Sequence, residues 1–197
     1  RHPETDAGGG KIIPRFESSE PSWMTSFLLP VVSAIDLGDR IKFFTGKKYP
    51  IGANMFFRRE VFERTGLFNT ELGRKGEGLL GGEEKDIFMK LGSDVKIVYL
   101  PEALVYHFVP DKRIQRSYIV GMAYGIGVSE SIRIRDLKRS RPMMYIRELI
   151  KWLASILLFL IYLVKFQYSK GKMLLVFRYN VSKGMLKGRK NDPKNTR

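Results

Sequence analysis

Apolar residues in the first half of the chain come in short runs bounded by Gly and Pro. In the second half they gather into stretches of helical length. Residues 1–11 are polar and Gly-rich, and Gly8, Gly9 and Gly10 punctuate them as a turn or loop. Residues 11–16 predict a short strand ended by Pro14. Pro21-Ser22-Trp23 opens a helix through Leu29, since Pro suits a first helical turn. Residues 30–49 read as irregular, with a short strand at 41–44. Residues 50–54 form a turn into a short buried strand at 55–57. A helix over 59–65 is closed by Gly66, and a loop at 69–82 carries Gly73, Gly76, Gly78, Gly81 and Gly82. A second helix, 83–91, buries Ile87, Phe88 and Leu91 and ends at Gly92. Strands at 95–100 and 103–109 flank Pro101, with Pro110 as the stop. A helix at 113–131 contains Gly121, Gly125 and Gly127. Strands alternating with helices place the chain in the α/β class.

Residues 146–168 are different. Residues 152–164 carry no charge, a run shorter than the ~20 residues that usually span a bilayer. Extension to 149–166 admits Lys151 and Lys165, whose long stems reach headgroups. The segment is apolar all round rather than on one stripe, so an ordinary surface helix is not expected. Trp152, Tyr162 and Tyr168 suit an interface. The expectation is a C-terminal apolar membrane-associated helix, transmembrane or interfacial.

Charge sharpens this picture. The chain has 197 residues, a formal net charge of +15 and no cysteine. Disulfides and thiolate metal sites are thereby excluded. The acids lie mostly before Lys112. Beyond it come Arg133, Arg135, Lys138, Arg139 and Arg141, and after Lys165 the only acid is Asp192. Such an excess implies a polyanionic partner: nucleic acid, anionic lipid or a phosphorylated substrate. Because the basic half surrounds the most apolar segment, a membrane surface is preferred and nucleic acid is not expected. The chain opens at Arg1 without a signal-peptide pattern, so it reads as a fragment or processed piece. Its expected parts are an α/β domain over 1–131, a basic linker over 132–145, the apolar helix over 146–168 and a basic tail over 169–197.

Four constellations bear on chemistry. Glu83, Glu84 and Asp86 crowd the first turn of a helix after Gly81-Gly82. Acids there complement the helix dipole by about 0.3–1 kcal/mol each. Alternatively, one is a general base at the edge of a cleft, with the glycines letting a substrate approach the backbone. His107 shares a strand face with Val105 and Val109. It is either a packed core histidine or one metal ligand, and no second ligand lies at motif spacing. Asn54 in Gly52-Ala53-Asn54 either bonds a sugar hydroxyl or makes its own turn. Gly121 and Gly125, four apart, are read mostly as a helix-packing face.

Taken in order, PIGANMFFRREVFE (residues 50–63), Gly66-Leu67-Phe68, Leu72-Gly73-Arg74, Gly81-Gly82-Glu83-Glu84, Tyr99-Leu100-Pro101 and Val105-Tyr106-His107 resemble the second half of family 2 glycosyltransferases. The stretch with Gly9-Gly10-Lys11-Ile12-Ile13-Pro14 and Pro21-Ser22-Trp23 fits what precedes that series. The resemblance covers roughly residues 8–130. It implies a partial GT-A-type, Rossmann-like mixed sheet with flanking helices. It also implies inverting transfer from a nucleotide-sugar donor to a glycan or lipid-linked acceptor, with the membrane as a further partner. The second acid after the glycines is usually the base. Glu84 stands there where the family more often has Asp, so Glu83 and Asp86 remain alternatives. By the same resemblance His107 helps hold a divalent metal, Mg or Mn, Arg113 meets the leaving diphosphate, and Gly52, Ala53 and Asn54 line the sugar pocket. The family's Asp-x-Asp metal motif does not occur in this chain. Catalysis is therefore expected of a longer parent, in cell-envelope or surface glycan synthesis, with the catalytic part cytoplasmic. Two other readings compete: a non-catalytic scaffold or degenerate glycan-binding transferase, and a basic nucleic-acid-binding module.

Overall fold

The computed structural model describes residues 5–45, 48–73, 79–92, 95–137 and 140–190. Outside these lie Arg74, Gly76 and Gly78 of the Gly-rich loop, Lys138 and Arg139 of the basic run, and the tail from residue 191. The described residues form two compact units. The first takes residues up to 18, then 29–70 and 83–111. The second takes 19–28, 71–82 and those from 112 onward.

The first unit is a four-stranded mixed sheet with two helices, in keeping with the α/β expectation. Its strands are β1 (Ala7–Phe16), β2 (Lys42–Phe43), β3 (Met55–Phe57) and β4 (Ile97–Val109), in the order β2-β4-β1-β3. β1 runs parallel to β4, and the outer pairs are antiparallel. Helices α1 (Arg59–Thr65) and α2 (Glu83–Leu91) fall where the apolar spacing placed them, and Gly66 and Gly92 end them with positive φ. Ile87, Phe88 and Leu91 of α2 are buried with Ala7, Val61, Ile97 and Tyr99. The Phe88 ring stacks on Tyr49 at 5.4 Å and tilts against Phe57 at 5.0 Å.

Three local features differ from expectation. Gly8, Gly9 and Gly10 are not a loop but the first half of β1. A Cβ at Gly8 would come within 2.7 Å of Val98, and one at Gly9 within 2.6 Å of Pro50. These glycines serve close approach across the sheet rather than a turn. Pro101 does not divide two strands, because β4 is continuous. The register jumps instead: Gly10 faces Leu100 and Ile12 faces Val105, so the strand bulges around the proline. The helix expected from Pro21 is absent. Turns closed by Met24 N to Pro21 O (2.8 Å) and Leu28 N to Thr25 O (2.9 Å) take its place, followed by a single 3-10 turn at Leu29–Val32.

On β1, Lys11 Nζ lies 2.7 Å from Asp39 and 3.3 Å from Asp36. The Gly38 N–H donates to Asp36 Oδ1 at 2.7 Å. That backbone donor, aided by Lys11, holds the Asp36 carboxyl below its ordinary value. A lowered folded-state pKa adds stability above the ordinary carboxylate range, and that stability is lost as the pH falls through the folded value. The acid limb of the wild-type stability curve should therefore flatten modestly in Asp36→Asn, as read by urea melts between neutral and acid pH. Identical slopes would exclude this contribution.

The second unit is built on α3 (Arg116–Asp136), α4 (Arg141–Val164) and α5 (Tyr168–Lys190). The segment expected as a basic linker holds the end of α3 and the start of α4, and most of the expected tail is α5. Charge marks these stretches only as linker and tail, but small residues let them pack. A Cβ at Gly184 would enter the Tyr124 carbonyl, and one at Gly127 the Val181 carbonyl, so α3 and α5 meet backbone to backbone. Ala123, Ile134, Met144, Val181 and Met185 form the shared core. Ser140 caps α4, accepting from Met143 N at 3.5 Å, and Pro142 follows in the first turn. The helix closes at Phe166, whose φ of 55° is left-handed. For a residue with a Cβ this costs roughly 1–2 kcal/mol.

No helix among the described residues is long and apolar enough to cross a membrane, so the spanning reading of 146–168 is set aside. Nor is α4 apolar all round. Its packed face holds Glu148 and Ser155, both buried. Glu148 Oε1 accepts from Arg178 and from Ser182, each at 3.2 Å, and the Trp152 indole N–H donates to Ser182 Oγ at 2.9 Å.

Candidate active site

Two of the sequence-derived constellations meet in the first unit. Gly52–Asn54 form a 3-10 turn ahead of β3, and Gly52 and Ala53 are exposed. Glu84, in the first turn of α2, lays its carboxylate over this turn. A Cβ at Gly52 would overlap Glu84 Oε1 and stand 3.3 Å from its Cδ and 3.5 Å from its Cγ. Gly52 does not have positive φ. It is glycine to make room for the acid, not to bend the chain. This role could not be read from sequence, because it depends on packing between distant segments.

The neighbouring acids differ. Asp86 is fully buried with Ile87 and Phe88, and its Oδ2 lies 2.7 Å from Lys90 Nζ one helical turn on. Glu83 is half-buried, and its Oε2 has no hydrogen-bond partner among the described residues. Glu84 is the acid of the three that reaches the exposed turn.

Asn54 is partly committed to the fold. Its amide Nδ2 donates to the Ala103 carbonyl at 2.6 Å and to the Lys11 carbonyl at 3.2 Å. It thus straps the β4 bulge to β1, and its N–H closes the turn on Ile51 O at 2.8 Å. A Cβ at Gly10 would enter the Ala103 carbonyl and stand 2.6 Å from the same Nδ2, which explains the third glycine of β1.

Gly81 and Gly82 belong to the second unit, where α3 holds them. The Gly81 N–H donates to Ser129 Oγ at 3.3 Å, and Arg133 Nη2 donates to the Gly82 carbonyl at 3.3 Å. Arg133 is itself buried and ion-paired with Glu130. A Cβ at Gly125 would enter the Leu79 carbonyl, and one at Gly121 would stand 2.7 Å from the Leu79 side chain. Gly121, Gly125, Ser129 and Arg133 recur every four residues, so one face of α3 cradles residues 79–82. The packing role read for the first two is thereby located. Ser129 and Arg133 were missed, although the four-residue spacing was the available signal. Gly82 has a φ of 96°, whereas Gly81 has neither positive φ nor any atom within 4 Å of a built Cβ. Gly81→Ala should therefore leave the melting temperature unchanged, within about 0.5 kcal/mol. If substrate passes over this backbone, KM for transfer rises severalfold. A drop in melting temperature, or unaltered kinetics, would count against that role.

His107 is half-buried on β4 opposite Pro14. It shares its face with Val105 and Val109, while Leu104, Tyr106 and Phe108 point to the exposed side, as strand alternation requires. Arg113, half-buried, ends a 3-10 turn over Asp111–Arg113. Among the described residues no three His, Asp or Glu side chains converge where a metal ion could be held. His107 is one donor, and the described residues do not complete a site around it.

Comparison with known proteins gives one distant relative at this point. The chain is 23% identical, over 138 residues, to a glucosyl-dolichyl phosphate glucuronosyltransferase of Haloferax volcanii. The match covers 69% of this chain but 43% of the relative. No family model matches, and no solved structure does.

Proposed function

We propose that this chain is the acceptor-side part of an inverting glycosyltransferase of the GT-A, family 2 kind, acting with a nucleotide-sugar donor. The observation that carries this is the seating of Glu84 on Gly52 at an exposed turn. It joins two of the segments that carry the resemblance. The glucuronosyltransferase relative supports a transferase, and its name, with a sugar on dolichyl phosphate, favours a lipid-linked acceptor. In this reading the enzyme works at a membrane, with its catalytic part on the cytoplasmic side, in cell-envelope or surface glycan synthesis.

Glu84 is the base, because Asp86 is buried under Lys90 and Glu83 is turned partly inward. Its carboxylate takes the proton of the acceptor hydroxyl as that oxygen bonds the anomeric carbon. The bond from that carbon to the diphosphate breaks, and the nucleoside diphosphate leaves with the electron pair. The attack comes from the face opposite the leaving group, so configuration inverts. Gly52, Ala53 and the Asn54 Oδ1 border the sugar, while Gly81 and Gly82 for the substrate's approach and Arg113 for the diphosphate are roles taken from the resemblance alone. The Mg or Mn ion of the reading would take His107 and otherwise residues outside this chain.

The test is transfer by the intact parent protein from a panel of nucleotide sugars to lipid-linked acceptors, with the anomeric configuration of the product read by NMR. Product of configuration opposite to the donor is expected. Retained configuration would end the inverting mechanism. Failure to bind or turn over any nucleotide sugar would leave the scaffold reading in its place.

A further inference from the structure

The α4–α5 hairpin of the second unit is arranged inside out. Its buried seam holds Glu148, Arg178, Ser155, Ser182 and the Trp152 indole N–H. Its open side holds large apolar side chains. Met143, Ile146, Ile150, Leu153, Leu157, Leu160 and Val164 are all exposed, spaced alternately three and four residues apart. They make one stripe along a helix about 36 Å long. Leu153 and Leu157 are each 60% exposed, Val164 78%, and Phe166 at the hairpin tip 96%. An apolar face of this length marks an interaction surface, not ordinary scatter.

Charge decides what covers it. Between Arg141 and Lys190 the only acid is Glu148, and it is buried and ion-paired to Arg178. Arg147, Lys151, Lys165, Lys170 and Lys172 lie along the hairpin; Lys151 is 3.4 Å from the buried Glu148, and the exposed Glu20 shares a cleft with Phe166 and Lys170, so basic residues still outnumber acids on this side. A second copy laid on this face would bring like charge against like charge. A bilayer with anionic headgroups offers hydrocarbon to the stripe and opposite charge to its rim. Since no described helix can span, insertion is in the plane of the interface.

We propose that α4 and the Phe166 tip form an in-plane docking surface for an anionic lipid bilayer. The inference deepens the membrane part of the proposed function, but its test has no activity readout, so its failure would leave the transferase reading standing. The 197-residue chain is sedimented with phosphatidylcholine vesicles and with vesicles containing phosphatidylglycerol. Stronger binding to the anionic vesicles, weakened by added salt, is expected. Leu153→Ser/Leu157→Ser should lower partitioning at least about tenfold, and Phe166→Ser should lower it further, with unchanged melting temperatures because these side chains are exposed. The proposal is overturned if the wild type does not bind, if it binds both vesicles equally, or if the variants bind as the wild type does. It is also overturned if the wild type is a dimer in solution that the leucine substitutions dissociate, since a second copy would then be the occupant.

Discussion

Glu84→Gln should lower sugar transfer by the parent protein about 10²–10⁴-fold, the usual contribution of a positioned general base. The amide is nearly isosteric, so it keeps its place over Gly52 but cannot take a proton. Donor binding and thermal stability should hold, because the fold of the first unit rests on Ile87, Phe88 and Leu91 further along α2. Gly52→Val is a companion variant. Its side chain would occupy the position of the Glu84 carboxylate and displace it. Transfer should fall in the same range while the carboxylate itself remains in the protein. Kinetics with saturating donor distinguish the outcomes. Full activity in Glu84→Gln would move the base to Glu83 or Asp86. Full activity in Gly52→Val alone would show that the contact does not position the acid.

Gly127→Leu is expected to destabilise the helical unit by about 3 kcal/mol, at the upper end of the cost of overpacking. In a protein of this size that is roughly a 6–12 °C fall in melting temperature. At Gly127 the added carbon would enter the Val181 carbonyl and approach Met185 N within 2.8 Å, and both are helix backbone with nowhere to move. Gly184 meets the Tyr124 carbonyl in the reciprocal sense. Separation of α3 from α5 would open the core of Ala123, Val181 and Met185. It would also strain the Ser131 hydroxyl, which donates to the Met185 carbonyl at 2.7 Å. Calorimetry of the variant measures the loss. A melt within 2 °C of wild type, roughly 1 kcal/mol or less, would mean that the two backbones do not meet there.

Much of the first unit was legible in local signals. Apolar spacing placed α1 and α2 and named the buried stripe Ile87, Phe88 and Leu91. Glycines marked both helix ends, and strand alternation set the face of His107. These features depend on neighbours within a turn or a strand, so the sequence carries them directly. It also brought the acids of α2 and the Gly52 turn forward as candidates, each by its own pattern.

What only tertiary structure decided depends on residues far apart in the chain. Three consecutive glycines read as a loop, yet they form β1, because Phe56, Pro50, Asn54 and Ala103 press against that backbone. Pro101 read as a strand break, yet a bulge absorbs it while β1 and β4 remain paired on either side. The basic stretch after residue 168 read as a tail, yet Gly184 and Gly188 let α5 settle on α3. Residues 146–168 read as uniformly apolar, yet Glu148 and Ser155 lie on the packed side and the leucines on the open one. Sequence reports which residues are apolar or small. Which of them find a partner is settled by long-range packing, and it is this packing that set Glu84 on Gly52 and left the apolar stripe of α4 facing outward.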